Sequence, residues 1–136
     1  MYCHHVERAL DVLALHRPVY LRWLRSGVDA LLVNQFFMSA RQATVATYLN
    51  RVLMLHPYTV WKVSAEELAL YLVAEATSLR LGPRFSKTRV GRIRAVRLQY
   101  QEMVACARVL PHGDALVARW EKRLAAFNVQ FPQAAA

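Results

Sequence analysis

A chain of 136 residues with 56% hydrophobic content, four glycines and five prolines has the material for one buried core and little composition that favours disorder. Eighteen Lys and Arg against nine Asp and Glu give a net charge of +9, which favours acidic or polyanionic partners. Two cysteines are too few for a disulfide scaffold and make a reducing compartment the expectation. No run reaches the roughly eighteen apolar residues of a membrane-spanning helix. The longest uncharged stretch, Ala30 to Ala40, is shorter and contains Asn34 and Gln35. Met1-Tyr2-Cys3-His4-His5 lacks the basic-then-apolar layout of a secretory signal, so an intracellular chain without a membrane span is expected.

Val6, Leu10 and Leu13 predict a first helix from Tyr2 to Leu15. Pro18 suits the first turn of a second helix, which the spacing of Tyr20, Trp23, Leu24, Leu31, Leu32 and Phe36 carries to Met38. Ser39 to Gln42 reads as a capping box opening a third helix, with Val45, Tyr48, Leu49, Val52 and Leu55 as its stripe and Pro57 closing it. Tyr58 to Val63 then reads as a short loop. Ser64 and Glu67 form a second capping box for a fourth helix, stopped at Gly82-Pro83. Ser86 is the expected cap of a fifth helix running to Val109, and Asp114 that of a sixth reaching Phe127. The expected fold is all-α: a compact bundle of five to six helices in one domain, 1–136.

The charge is concentrated in one stretch. Arg80, Arg84, Lys87, Arg89, Arg92, Arg94 and Arg97 lie between Glu75 and Glu102 with no carboxylate among them, while the remaining residues carry eleven cations against nine acids. On a helical projection Val90, Ile93, Val96, Tyr100, Met103, Val104 and Ala107 fall in one arc of about 140°, the expected buried stripe. Arg92 and Arg97 flank it, and Gly91 with Ala95 leaves a low surface beside Arg94. Arginine suits phosphate oxygens and guanine edges, and Ser86, Lys87 and Thr88 stand where a helix start favours an anion. All seven cations are therefore candidate nucleic-acid contacts. A solvated basic face that serves only solubility is the plainer reading of the same charges.

Helices three to six also resemble the N-terminal core-binding domain of tyrosine recombinases and phage integrases. Thr44 and Tyr48 look like that family's T-x-x-x-Y helix, and Glu66 to Leu72 its E-x-h-x-x-Y-L helix, with h apolar. Thr88, Ile93, Val96, Leu98 and Tyr100 match the spacing of its groove-facing helix, while Leu110-Pro111 and Leu116 to Arg119 are similar to its last turn and helix. The resemblance covers 39–126, leaving 1–38 as a helical extension and 128–136 as a tail. It implies a DNA-clasping module; the catalytic half of that family has no counterpart here, so strand cleavage is not implied.

Other chemistry is sparse. Cys3, His4, His5 and His16 do not follow the spacing of structural zinc sites, and no metal or other cofactor is expected. Cys106 falls near the apolar arc as a small buried residue. No glycine-rich phosphate loop, H-E-x-x-H or G-x-S-x-G occurs, so the chain is not expected to be an enzyme. Trp61 beside Lys62 is the one tryptophan read as a candidate for base stacking. The sequence thus supports a non-catalytic nucleic-acid-binding module, DNA before RNA, in a nucleus or nucleoid. The alternative is a structural accessory subunit of a large assembly, such as a mitochondrial ribosome or respiratory complex. The apolar stretch Phe127 to Phe131 fits that alternative, as does Tyr20 to Arg25, which is similar in composition to the leucine-tyrosine-arginine motif of mitochondrial accessory proteins.

Overall fold

A computed structural model describes residues 2–33, 46–49 and 51–133. The described chain is a mostly helical bundle of six α-helices: α1 (Tyr2–His16), α2 (Val19–Gly27), α3 (Pro57–Lys62), α4 (Ala65–Leu81), α5 (Arg89–Val109) and α6 (Asp114–Gln130). Three short strands accompany them: β1 (Ala30–Val33), β2 (Ala46–Leu49) and β3 (Val52–Leu55). Among the described residues, no helix is long and apolar enough to cross a membrane.

The bundle is organised around α4, which packs against α1, α2 and α5, while α6 packs on α5. Leu68, Ala69, Leu70, Leu72, Val73 and Ala76 are fully buried, so α4 is apolar around most of its circumference, as a central helix must be. Ser64 caps it by accepting from the Glu67 N–H at 3.1 Å, the serine half of the expected capping box, while the Glu67 carboxylate accepts from Arg119 Nη1 at 2.7 Å. Gly82 ends it with φ +85°, a left-handed conformation that glycine adopts without a Cβ penalty. One hydrophobic cluster joins Val6 and Leu13 of α1 to Leu53 and Leu55 of β3 and Trp120 of α6.

The sheet departs from the sequence expectation. The second helix stops at Gly27, and Ala30–Val33 is a strand. The region expected to form helix three holds β2 and β3, paired antiparallel from Ala46↔Leu55 to Leu49↔Val52. β3 is central, with β1 parallel on its other side, Ala30↔Val52 to Val33↔Leu55. Only Asn50 and Arg51 separate β2 from β3, and Arg51 has φ +64°, the sign that a type I′ hairpin turn has at its second position. The Asp29 N–H donates to Arg51 O at 2.8 Å, extending the ladder, and the Arg51 side chain grips both Asp29 oxygens at 2.9 and 3.0 Å. These tertiary pairings outweigh a stripe that is compatible with helical spacing. The capping box Ser39 to Gln42 lies outside the described residues. Tyr58 to Val63, expected as a loop, is largely α3, with Pro57 at its first turn instead of closing a preceding helix.

Candidate nucleic-acid interface

The basic stretch begins at the end of α4, passes through a 3₁₀ turn (Pro83–Ser86) and enters α5. The expected cap is displaced by two residues. Thr88, not Ser86, opens α5, its hydroxyl accepting from the Gly91 N–H at 3.0 Å. Ser86 instead donates to Pro83 O at 2.7 Å and so closes the turn on itself. Gly91 does not leave an open low surface either, because a Cβ there would meet the Phe85 carbonyl oxygen at 2.6 Å. Its absent side chain lets the turn fold against α5. At the far end Gly113, not Asp114, stands at the N-cap of α6, and Asp114 is an acid of the first turn.

Six of the seven candidate cations reach solvent: Arg80, Arg84, Lys87, Arg89, Arg92 and Arg94 are exposed. The ion pairs Arg51–Asp29, Arg108–Glu121 and Arg119–Glu67 use arginines outside this stretch. Arg92 also serves the fold, donating from Nη1 to Ser86 O at 3.0 Å. The Arg84 guanidinium lies 5.9 Å from the centre of the Phe85 ring, within reach of a cation–π attraction.

Arg97 requires a correction. It is only 6% exposed, and its guanidinium is turned inward. Nε donates to Asn128 Oδ1 at 2.9 Å, Nη2 donates to Phe131 O, and the group lies 5.7 Å from the Phe127 ring centre. Arg97 therefore pins the end of α6 to α5 and is not an open phosphate contact. A buried guanidinium needs such partners, because an unpaired one is costly to desolvate.

The apolar arc of α5 divides along its length. Met103, Val104 and Ala107 are buried as expected, and so is Cys106, but Val90 is 67% exposed and Ile93 and Val96 are only half-buried. Two grooves flank this less-covered half. One, of about 560 Å³, lies between α5 and the end of α6, lined by Val90, Ile93, Arg94, Arg97, Phe131 and Pro132 among others. The other, of about 550 Å³, lies between α5, the end of α4 and the 3₁₀ turn, with Leu79, Phe85, Arg92, Ala95, Val96 and Gln99 in its walls. Gln99 fixes that second wall by donating to Ala74 O at 3.1 Å and to Ser78 Oγ at 2.6 Å. A run of ring contacts leads from the core to the first groove: Tyr71 to Trp120 at 5.6 Å, Trp120 to Tyr100 at 5.9 Å, Tyr100 to Phe127 at 5.6 Å and Phe127 to Phe131 at 5.0 Å. Sequence reasoning missed Phe85 and Phe131 as groove residues. The i, i+4 spacing of Phe127 and Phe131 was the available signal.

The remaining candidates have other engagements. His4 faces Glu7 at 3.8 Å and the His5 Nε2–H donates to Val63 O at 2.7 Å, so these two histidines take separate partners. Cys106 is buried, and burial pushes its thiol up to about 11. Tyr20 is buried beside it in the core and donates from its hydroxyl to Glu102 Oε2; burial first, then that carboxylate, raises the phenol above its ordinary range. Trp61 is 63% exposed on α3, away from the basic stretch in sequence. Tyr48, assigned to a recombinase-like helix by resemblance, lies in β2, and Thr44 lies outside the described residues. Compared with family models, curated proteins and solved structures, the chain has no match in any of the three.

Proposed function

We propose that this chain is a non-catalytic helical module that binds nucleic acid through the 3₁₀ turn and the N-terminal half of α5. One observation carries the reading: six exposed cations, Arg80, Arg84, Lys87, Arg89, Arg92 and Arg94, follow one another with no carboxylate between them in sequence. Such a surface attracts a phosphate backbone and gains from counterion release. The reading rests on this charge and not on the recombinase resemblance, since the region of its first helix contains strands.

Changing Lys87, Arg89 and Arg94 together to Ala tests it. The three side chains are exposed, so the helical content and melting temperature should stay near those of the parent protein. Affinity for an oligonucleotide should fall, and the slope of log affinity against log salt should become shallower by about 0.7–0.9 for each phosphate no longer neutralised. Unchanged affinity in the triple variant would remove the basis for the reading. The accessory-subunit alternative draws support from a different observation, the 67% exposure of Val90 beside an apolar groove. It predicts a chain that self-associates or needs a partner in gel filtration.

A further inference from the structure

We infer that the nucleic acid is single-stranded: its backbone crosses the N-terminal half of α5, and its bases enter the apolar grooves beside Phe131 and Phe85. This deepens the nucleic-acid reading above and depends on it. The directions of the cations favour a flexible partner. At 100° per residue Arg92 and Arg94 project about 160° apart around the helix, and each stands at the wall of a different groove. A duplex, stiff over about 150 base pairs, reaches both only by taking α5 into its major groove, where the end of α6 and the 3₁₀ turn that flank α5 would have to enter as well. A flexible strand bends across the helix and reaches both.

The chemistry of the flanks points the same way. Phosphate contacts alone need no apolar recesses, yet both flanks of this basic segment have them, each with a phenylalanine in or beside an arginine-bearing wall. Single-strand binding combines a basic track with aromatic platforms on which bases stack regardless of sequence. Phe131 is backed by Phe127 at 5.0 Å, and its backbone is held by the buried Arg97. Phe85 is followed by the basic entry to α5, and its carbonyl packs over Gly91. Both rings are thus attached to fixed backbone and not to a free tail. Charge complementarity with the surrounding arginines selects an anionic chain, and the paired aromatic walls favour bases over the aliphatic side chains of an acidic peptide.

The test uses the full chain with three probes: a labelled oligothymidylate about 12 nucleotides long, within the span one small module covers, a duplex of equal length, and a Glu- and Leu-rich peptide. Tighter binding of the oligothymidylate than of the duplex at the same salt, by tenfold or more, is the expected result. Phe131→Leu and Phe85→Leu should each weaken the single strand by roughly tenfold, the scale of one base–aromatic stack, while leaving duplex affinity unchanged. Should one variant fail to fold, the other carries the same comparison. Equal or tighter duplex binding that still depends on Lys87, Arg89 and Arg94 would overturn this inference and leave the nucleic-acid reading intact. Binding of the peptide alone, or of none of the probes, would overturn both.

Discussion

The two halves of α5 share one continuous 21-residue helix and one apolar repeat, yet they have opposite surroundings. From Met103 to Ala107 the stripe is buried against α4 and α6. From Arg89 to Val96 the same repeat is open, with Val90 largely exposed, a groove on either side and cations along it. The repeat specifies a helix with an apolar side; whether that side is covered depends on where the neighbouring helices end. The charges accumulate where the core has run out, which keeps their desolvation cost low and leaves them available to a partner.

Substitutions that exchange the halves' properties should expose this division. The largest effect is expected in the covered half: Met103→Ala removes a side chain that is 2% exposed and should cost about 2–5 kcal/mol in a denaturant melt. The matching change Val90→Ala should stay within about 0.5 kcal/mol, as at other open surface positions. Arg97→Ala should cost about 1.5–3 kcal/mol, the range for hydrogen bonds to a charged group, whereas Arg94→Ala should leave the melt unchanged and act on binding. That pair separates the arginine that holds the helices from the arginine that faces outward.

A pH-dependent effect belongs to the covered half alone. Burial holds the Cys106 thiol protonated until about pH 11 and also raises the Tyr20 phenol. In the unfolded chain the thiol ionises near its ordinary value of about 8.5, so the folded state binds more protons above that point. Stability is therefore complete below about pH 8.5 and declines as pH rises toward the folded thiol's value. Urea midpoints taken between neutral and alkaline pH should show the decline, and Cys106→Ala combined with Tyr20→Phe should flatten it. The triple change in the open half should not alter its shape.

Much of the helical framework was legible in the sequence because its signals are local. The Ser64 N-cap, the Gly82-Pro83 stop and the repeat of α5 each act within a few residues, and the structure contains all three. The sheet was not legible. Tyr48, Leu49, Val52 and Leu55 fit helical spacing as well as they fit two short strands, and only pairing with distant Ala30–Val33 distinguishes the two. Asn50-Arg51 between two apolar runs was the local hint of a hairpin. For the interface, charge located the segment, but charge carries no information about orientation. Arg97 shares its chemistry with Arg94, and its inward role depends on Asn128 and Phe131, more than thirty residues away in the chain.

That distant attachment of Arg97 also affects how the molecule opens. A terminal helical turn ordinarily frays by itself, and its amides exchange with solvent early. Here the turn at Asn128 and Phe131 is tied to the middle of another helix, so releasing it breaks two hydrogen bonds donated by the Arg97 side chain. Its amide protection should accordingly follow the release of the Arg97 side chain and not the fraying of a free end, so Arg97→Ala should speed exchange at Phe131. Slower hydrogen exchange at Phe131 would then register an occupant settling against Val90 and Arg94, making the last turn of α6 an internal gauge of whether the first half of α5 is engaged.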